Sequence, residues 1–308
     1  MKILDTSNNR TLIDIDFCNA SDDELKKLCE ELPSHNLLLA KNQTVDKHKA
    51  AKTAQRIAGF SDEQINDPEW LAQRYGHFFY TDEDNPITFR VTNQRNDKGE
   101  IQGLFADYEL GWHCNNSGQK HDDKTIVIML MERPGDQDHG LTSFVNTRLA
   151  YEELEPTAKK LVDDIEIEIS FDAFRGHGET LYKANDHGYP IPPEDPLYDI
   201  FKRKASAYPE FYKSLVNMHP YSRQKALYFL PNSISNWRRK NGRPMKDKGL
   251  WNYLTDHIYS GKYTYTHRWE VGDLIINDQF MGFHKRTEPK GDRWMWRWCI
   301  PAKGFIDY

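Results

Sequence analysis

The C-terminal run "YTYTHRWEVGDLIINDQFMGFHKR", followed closely by "RWMWRWCIP", constrains the fold more than any other part of the chain. It reads as two strands joined at "EVGD" and then a last, aromatic strand, so extended segments crowd the end of the sequence. Upstream, "TIVIMLMER" (125–133) is a continuous apolar run capped by "PGD", which suits a buried strand. "LTSFVNT", "EIEISF" and "KALYFLP" add further short strands, and "ITFRVTNQ" and "GLFADYELGWH" are extended on either side of a hairpin turn at "NDKGE".

Helical periodicity is concentrated early. Residues 22–33, "DDELKKLCEELP", place apolar side chains at helical spacing and are predicted to stop at Pro33. "DKHKAAKTAQRIAGF", "DPEWLAQRYGHFF", "RLAYEELEPTAKKLVDD" and "GLWNYLTDHIYS" are each expected as one helix. From about 175 to 220 the chain is rich in Gly, Pro, Tyr and Asp and lacks clear periodicity, the pattern of a long insertion lying over a scaffold. Many short strands with helical decoration predict a mainly β chain (α+β), a sandwich or open barrel formed by residues 1–308 as one domain.

Composition excludes several function classes. Aromatic residues make up 13% of the 308, enough to bury a core and unlike a disordered chain. Charged residues are mixed in sign with a net charge of -6, which gives no electrostatic footprint for nucleic acid. The basic run "WRRKNGR" (237–243) reads as a solvated loop. Cys18, Cys29, Cys114 and Cys299 form no CxxC pair or zinc-like spacing. No apolar run approaches the ~20 residues of a membrane span, and the N-terminus lacks the apolar block of a secretory signal. These features predict a reduced, cytoplasmic protein with neither membrane nor nucleic acid as partner; they leave its oligomeric state open.

The chemistry-bearing residues lie far apart. His113 ends a strand in "LGWHCNNSGQKHDD", and His284 ends another in "MGFHKR". Two histidines so distant in the chain can meet only if a sheet folds back on itself, as a double-stranded β-helix does. Arg293 and Arg297 then follow four residues apart, so on one strand they share a face. Trp294, Trp296 and Trp298 alternate with them and read as core or helix-facing packing.

The order of these segments resembles the taurine catabolism dioxygenase-like branch of the Fe(II)/2-oxoglutarate oxygenases, related to clavaminate synthase. The likeness spans roughly 90 to 300 and rests on "WH", on "GLTSF" before a helix, on the "W-x-x-G-D" turn and on the distal histidine with its two arginines. It implies a jelly-roll (double-stranded β-helix) core over about 90–300, N-terminal helices, and an insertion or lid at about 175–260. It also implies Fe(II) as metal and 2-oxoglutarate and O2 as co-substrates. By position it makes His113 and His284 the metal ligands, Thr142 and Arg293 the groups that hold 2-oxoglutarate, and Arg297 the contact for an acidic group of the substrate. A planar guanidinium suits a carboxylate better than an ammonium does.

One position departs from the family's pattern. Where the family has the acid of a His-x-Asp/Glu pair, this chain has Asn115. Two histidines and a carboxylate leave three open positions on one side of Fe(II); an asparagine supplies only a neutral oxygen, or turns away. Three readings follow: a hydroxylase in which Asn115 ligates weakly or through water, a halogenase whose vacant position takes a halide, and a non-catalytic cupin-like binding protein. Loop carboxylates Asp122 and Asp123, with His121, are expected to be solvated, and Asp278 to be a structural strand-end residue. Arg297 favours an anionic small molecule: an amino acid, another carboxylate or a sulfonate.

Overall fold

The structure is a computed structural model that describes residues 1–75, 81–103, 107–115, 126–170 and 210–306. It opens with a hairpin of β1 (Lys2–Ser7) and β2 (Arg10–Asp14), turned by Asn8 and Asn9, both at positive φ. Asparagine tolerates that conformation, and two such residues in a row match the twist of a tight hairpin. Helix α1 (Asp22–His35) begins at a capping box between Ser21 and Glu24. It runs two residues beyond Pro33, because a proline in the last turn forfeits one backbone bond without blocking the residues after it. Asn36, at φ 64°, then closes the helix and delivers the chain to β3 (Leu37–Ala40).

Helices α2 (Lys47–Ala58), α3 (Asp62–Ile65) and α4 (Pro68–Tyr75) come next. Strands β4 (Phe89–Thr92), β5 (Leu110–His113), β6 (Ile126–Pro134) and β7 (Thr142–Asn146) follow. The run expected as one helix is two, α5 (Thr147–Glu152) and α6 (Pro156–Asp163), with Pro156 at the first turn of the second. Proline lacks the N–H that a continuous helix needs there and is well suited to start a new one. Then come β8 (Ile165–Ile169), β9 (Phe211–Ser214), β10 (Val216–Met218), β11 (Lys225–Leu227) and β12 (Ile234–Arg239). Helix α7 (Lys248–Tyr259) precedes β13 (Thr264–His267), β14 (Leu274–Asp278), β15 (Gly282–Arg286) and β16 (Arg293–Ile300).

A seven-stranded sheet, in the order β1-β2-β3-β14-β6-β16-β4, faces a four-stranded sheet, β13-β7-β15-β5. All pairings are antiparallel except β2 with β3. From β4 to β7, and again from β13 to β16, consecutive strands change sheets. The "EVGD" turn links β13 of the small sheet to β14 of the large one, and β15 returns to the small sheet, so the expected pair of strands is three. "NDKGE" does make a tight turn, bridged by Arg95 and Ile101, but β4 and β5 around it belong to different sheets. The result is a jelly roll with helical decoration.

Side-chain alternation divides the core into three layers. Leu39, Val127, Met129, Met131, Ile275, Met295 and Cys299 of the large sheet meet Phe144 of the small sheet between them. The opposite face of β16 sends Trp296, Trp298 and Ile300 outward to α1 and α2, with Trp294 partly buried beside them. Helix α2 presents Ala50, Ala51, Ala54 and Ala58 to this layer, and such small side chains leave room for indoles. Trp298 is fully buried with its N–H on Thr88 Oγ1 at 2.8 Å, so truncation to alanine would cost about 3–5 kcal/mol.

The third layer covers the outer face of the small sheet. Trp112, Val145 and Phe283 pack there against α7 and a three-stranded sheet, β12-β8-β9. Strand β12 corrects the expectation of a solvated loop at 237–243. Trp237 is wholly buried, while Arg238 and Arg239 pair with Glu166 and Asp164 on the neighbouring segment. Of the expected insertion, residues 171–209 lie outside the described residues, as do His121, Asp122 and Asp123. Among the described residues, no helix is long and apolar enough to cross a membrane.

Candidate active site

His113 and His284 sit directly opposite each other on adjacent strands β5 and β15, with ring centroids 4.2 Å apart. The alternation that sends Trp112 and Phe283 outward turns both imidazoles inward, where Phe144 stacks on His284 at 6.0 Å. His113 Nδ1 donates to the Gly111 carbonyl at 2.7 Å, which fixes the tautomer and makes Nε2 the unprotonated nitrogen of the neutral ring. His284 Nδ1 is buried without a hydrogen-bond partner. Burial first, then the charges of His113, Arg297 and Arg286, hold the His284 imidazole well below its ordinary value. It is thus neutral, the state in which an imidazole binds a metal.

Asn115, two residues beyond His113, lies on the same side. Its backbone N–H donates to Gln279 Oε1 at 2.5 Å, its Oδ1 accepts from Arg297 Nη1 at 3.2 Å, and its Nδ2 is buried and unpartnered. Asp278 ends β14 as a structural residue: it is buried, pairs with His219 Nε2 at 3.1 Å and caps the Phe280 N–H. No group of three His, Cys, Asp or Glu side chains converges among the described residues. The polar side chains brought together here are two imidazoles and an amide.

Arg293 and Arg297 both lie on the face of β16 that carries Met295 and Cys299, so they point between the sheets. Arg293 is 1% exposed, and its Nε and Nη1 lack partners. Gly140, at φ 66°, makes room for it: a Cβ there would lie 3.0 Å from Arg293 Nε. Thr142 is buried at the start of β7, its Oγ1 accepting from Trp269 Nε1 at 2.8 Å. Arg297 is half-buried over the Phe89 ring, with an unpartnered Nε.

Three neighbours were not among the expected site residues. Arg286 is two residues past His284, buried, opposite Thr142 in register, and donates to the Tyr108 carbonyl at 2.7 Å. The strand period alone places it on the face of His284, a signal present in "HKR". Gln279 and Trp269 carry no such local signal, because their roles depend on partners more than a hundred residues away.

A jelly roll with two imidazoles side by side and buried guanidinium N–H groups open in its interior has the architecture of an oxygenase that uses a metal and a keto acid. The sequence model of the taurine catabolism dioxygenase TauD, TfdA family matches residues 8–299, and the chain belongs to that family. No curated protein matches the sequence. Among solved structures, a taurine dioxygenase from Burkholderia xenovorans is similar at 14% identity and TM-score 0.64, covering 94% of this chain and 85% of that one. AAD-2 in complex with Mn(II) and N-oxalylglycine is similar at 17% identity and TM-score 0.66, with 96% of each chain covered. The protein is therefore an oxidoreductase, a dioxygenase whose cofactors are the family's Fe(II) and 2-oxoglutarate. That membership sets aside the non-catalytic binder.

The residues present fit these groups with one change. Two imidazole nitrogens suit a divalent transition ion, and the amide of Asn115 offers a neutral oxygen where the family has an anionic one. The unpartnered N–H groups of Arg293 suit a carboxylate.

Proposed function

We propose that the enzyme hydroxylates an unactivated sp3 carbon of a small anionic substrate, a free amino acid. Substrate, 2-oxoglutarate and O2 become the hydroxylated product, succinate and carbon dioxide. In this reading His113 and His284 hold the iron, with Asn115 at the third protein position. Thr142 and Arg293 take the distal carboxylate of 2-oxoglutarate, and Arg297 takes the acid group of the substrate. Bound there, iron and keto acid supply the oxidant that removes hydrogen from carbon.

The observation that carries the reading is Arg297. It reaches the third protein position through Asn115 Oδ1 while its Nε remains buried and unpartnered. A partly desolvated guanidinium with an open N–H is costly unless an anion meets it. The charges of Arg297 and Arg286 both act on His284, so the interior is electropositive around the reacting centre. The test is succinate formation by the Fe(II)-loaded enzyme with a panel of free amino acids. Stimulation above the substrate-free rate by one or more of them is expected. No stimulation by any carboxylate or sulfonate would overturn the substrate class and leave the family intact.

A second reading, halogenation, draws support from the Asn115 amide. Its oxygen is engaged by Arg297 and its Nδ2–H lacks an acceptor, an arrangement that favours a halide beside it. Mass analysis of the product with and without chloride separates the two: a chlorinated product replaces the hydroxylase assignment.

A further inference from the structure

Trp269 contributes its indole to the barrel interior from the turn before β14. It is 3% exposed, and its N–H meets Thr142 Oγ1 at 2.8 Å with both groups buried. His267 packs edge-on against the ring at 4.7 Å, and is itself held by Tyr265 Oη and Asp273 Oδ2, each at 2.8 Å. The indole therefore has little freedom to turn away.

Donor counting gives this contact its meaning. An indole N–H only donates, so Thr142 Oγ1 must accept from it, and the single hydroxyl hydrogen of Thr142 is left for a third group. Arg286, its register partner on β15, and Arg293, packed against Gly140 two residues upstream, have donors and no acceptors, and His267, its register partner on β13, already has both ring nitrogens engaged by Tyr265 and Asp273. What satisfies the Thr142 hydroxyl and the open N–H groups of Arg293 together is one anion with at least two acceptor oxygens.

We propose that Trp269 is a positioning residue for the co-substrate: its N–H occupies the Thr142 oxygen and so presents the Thr142 hydroxyl as a donor to the distal carboxylate of 2-oxoglutarate. This rests on the assignment of Thr142 and Arg293 to that carboxylate. Phenylalanine would keep the ring and lose the orientation.

The experiment is calorimetric binding to the Mn(II)-loaded protein without turnover, using 2-oxoglutarate and 2-oxobutyrate, which lacks the distal carboxylate. Trp269→Phe is expected to weaken 2-oxoglutarate about tenfold, the scale of one hydrogen bond to a charged group, and to leave 2-oxobutyrate unchanged. Thr142→Val should do the same, and the double variant should bind no worse than Thr142→Val alone. Unchanged 2-oxoglutarate affinity in Trp269→Phe, equal losses for both ligands, or additive losses in the double variant would each overturn the positioning role. Arg293→Gln separates the two layers of inference. If it leaves 2-oxoglutarate binding intact, the carboxylate assignment itself fails; if it weakens binding while Trp269→Phe does not, only the role of Trp269 fails. Should Trp269→Phe not fold, indole N–H resonances of the Trp-labelled wild-type protein decide. The resonance displaced by Thr142→Val is expected to move when N-oxalylglycine binds, and its standing still would overturn the proposal.

Discussion

The two levels of the barrel interior differ in how their polar groups are committed. At the level of Thr142 and Arg293, an indole fixes a hydroxyl, a glycine makes space for a guanidinium, and N–H groups remain open. At the level of His113, His284 and Asn115, the imidazoles are in place, but the third side chain is an amide already bonded to Arg297. The proposed keto-acid level is built for a fixed charge; the proposed metal level has one negative charge fewer than the family's pattern. The difference teaches that the departure is confined to a single ligand position.

The largest expected effect is at the imidazoles. His284→Ala should abolish the visible charge-transfer band that anaerobic Fe(II) and 2-oxoglutarate give with the wild-type protein. A band that survives would remove His284 from the metal. Next, Arg293→Gln should weaken 2-oxoglutarate about a hundredfold, since a buried charge-assisted pair is worth up to ~3 kcal/mol, as titration of the same band would show. A smaller change in the opposite direction is expected for Asn115→Asp, which restores an anionic oxygen and should raise iron affinity about tenfold. If equilibrium dialysis instead shows unchanged affinity, the new carboxylate has closed on Arg297 and the residue does not face the metal.

The smallest effect is on stability. With His284 held below its ordinary value of 6.5 by burial and neighbouring cations, the unfolded metal-free chain takes up a proton that the folded one refuses. Stability is then fully present above about pH 6.5 and declines as pH falls. Thermal melts in chelator at pH 7.5 and 5.5 should show a drop that His284→Asn reduces.

That His113 and His284 meet followed from the resemblance, whereas the shared face of Arg293 and Arg297 was legible because a strand repeats its facing every two residues. The outward row Trp294, Trp296 and Trp298 was legible for the same reason. Sheet membership was not: "NDKGE" is a good turn, yet β4 and β5 part afterwards because their partners are β16 and β15, from the far end of the chain. The break at Pro156 was legible in principle, and apolar periodicity running across it hid the signal. Trp237 was obscured by the basic residues beside it. Asn115 shows the limit most plainly: the sequence exposes the missing acid, but only the fold shows Arg297 bonded to the amide.

The position of β3 bears on how the protein comes into being. Residues 37–40 lie between β2 and β14, and β14 separates β3 from β6, so neighbours in the large sheet are made far apart in time. Until the ribosome has added β14 to β16, from Leu274 to Ile300, β3 and β6 wait with unpaired edges. Closure by such distant partners is slow and leaves the nascent chain open to aggregation. Synthesis must therefore pass β16 before the barrel interior exists, and a chain halted short of Arg293 would emerge without its proposed keto-acid anchor.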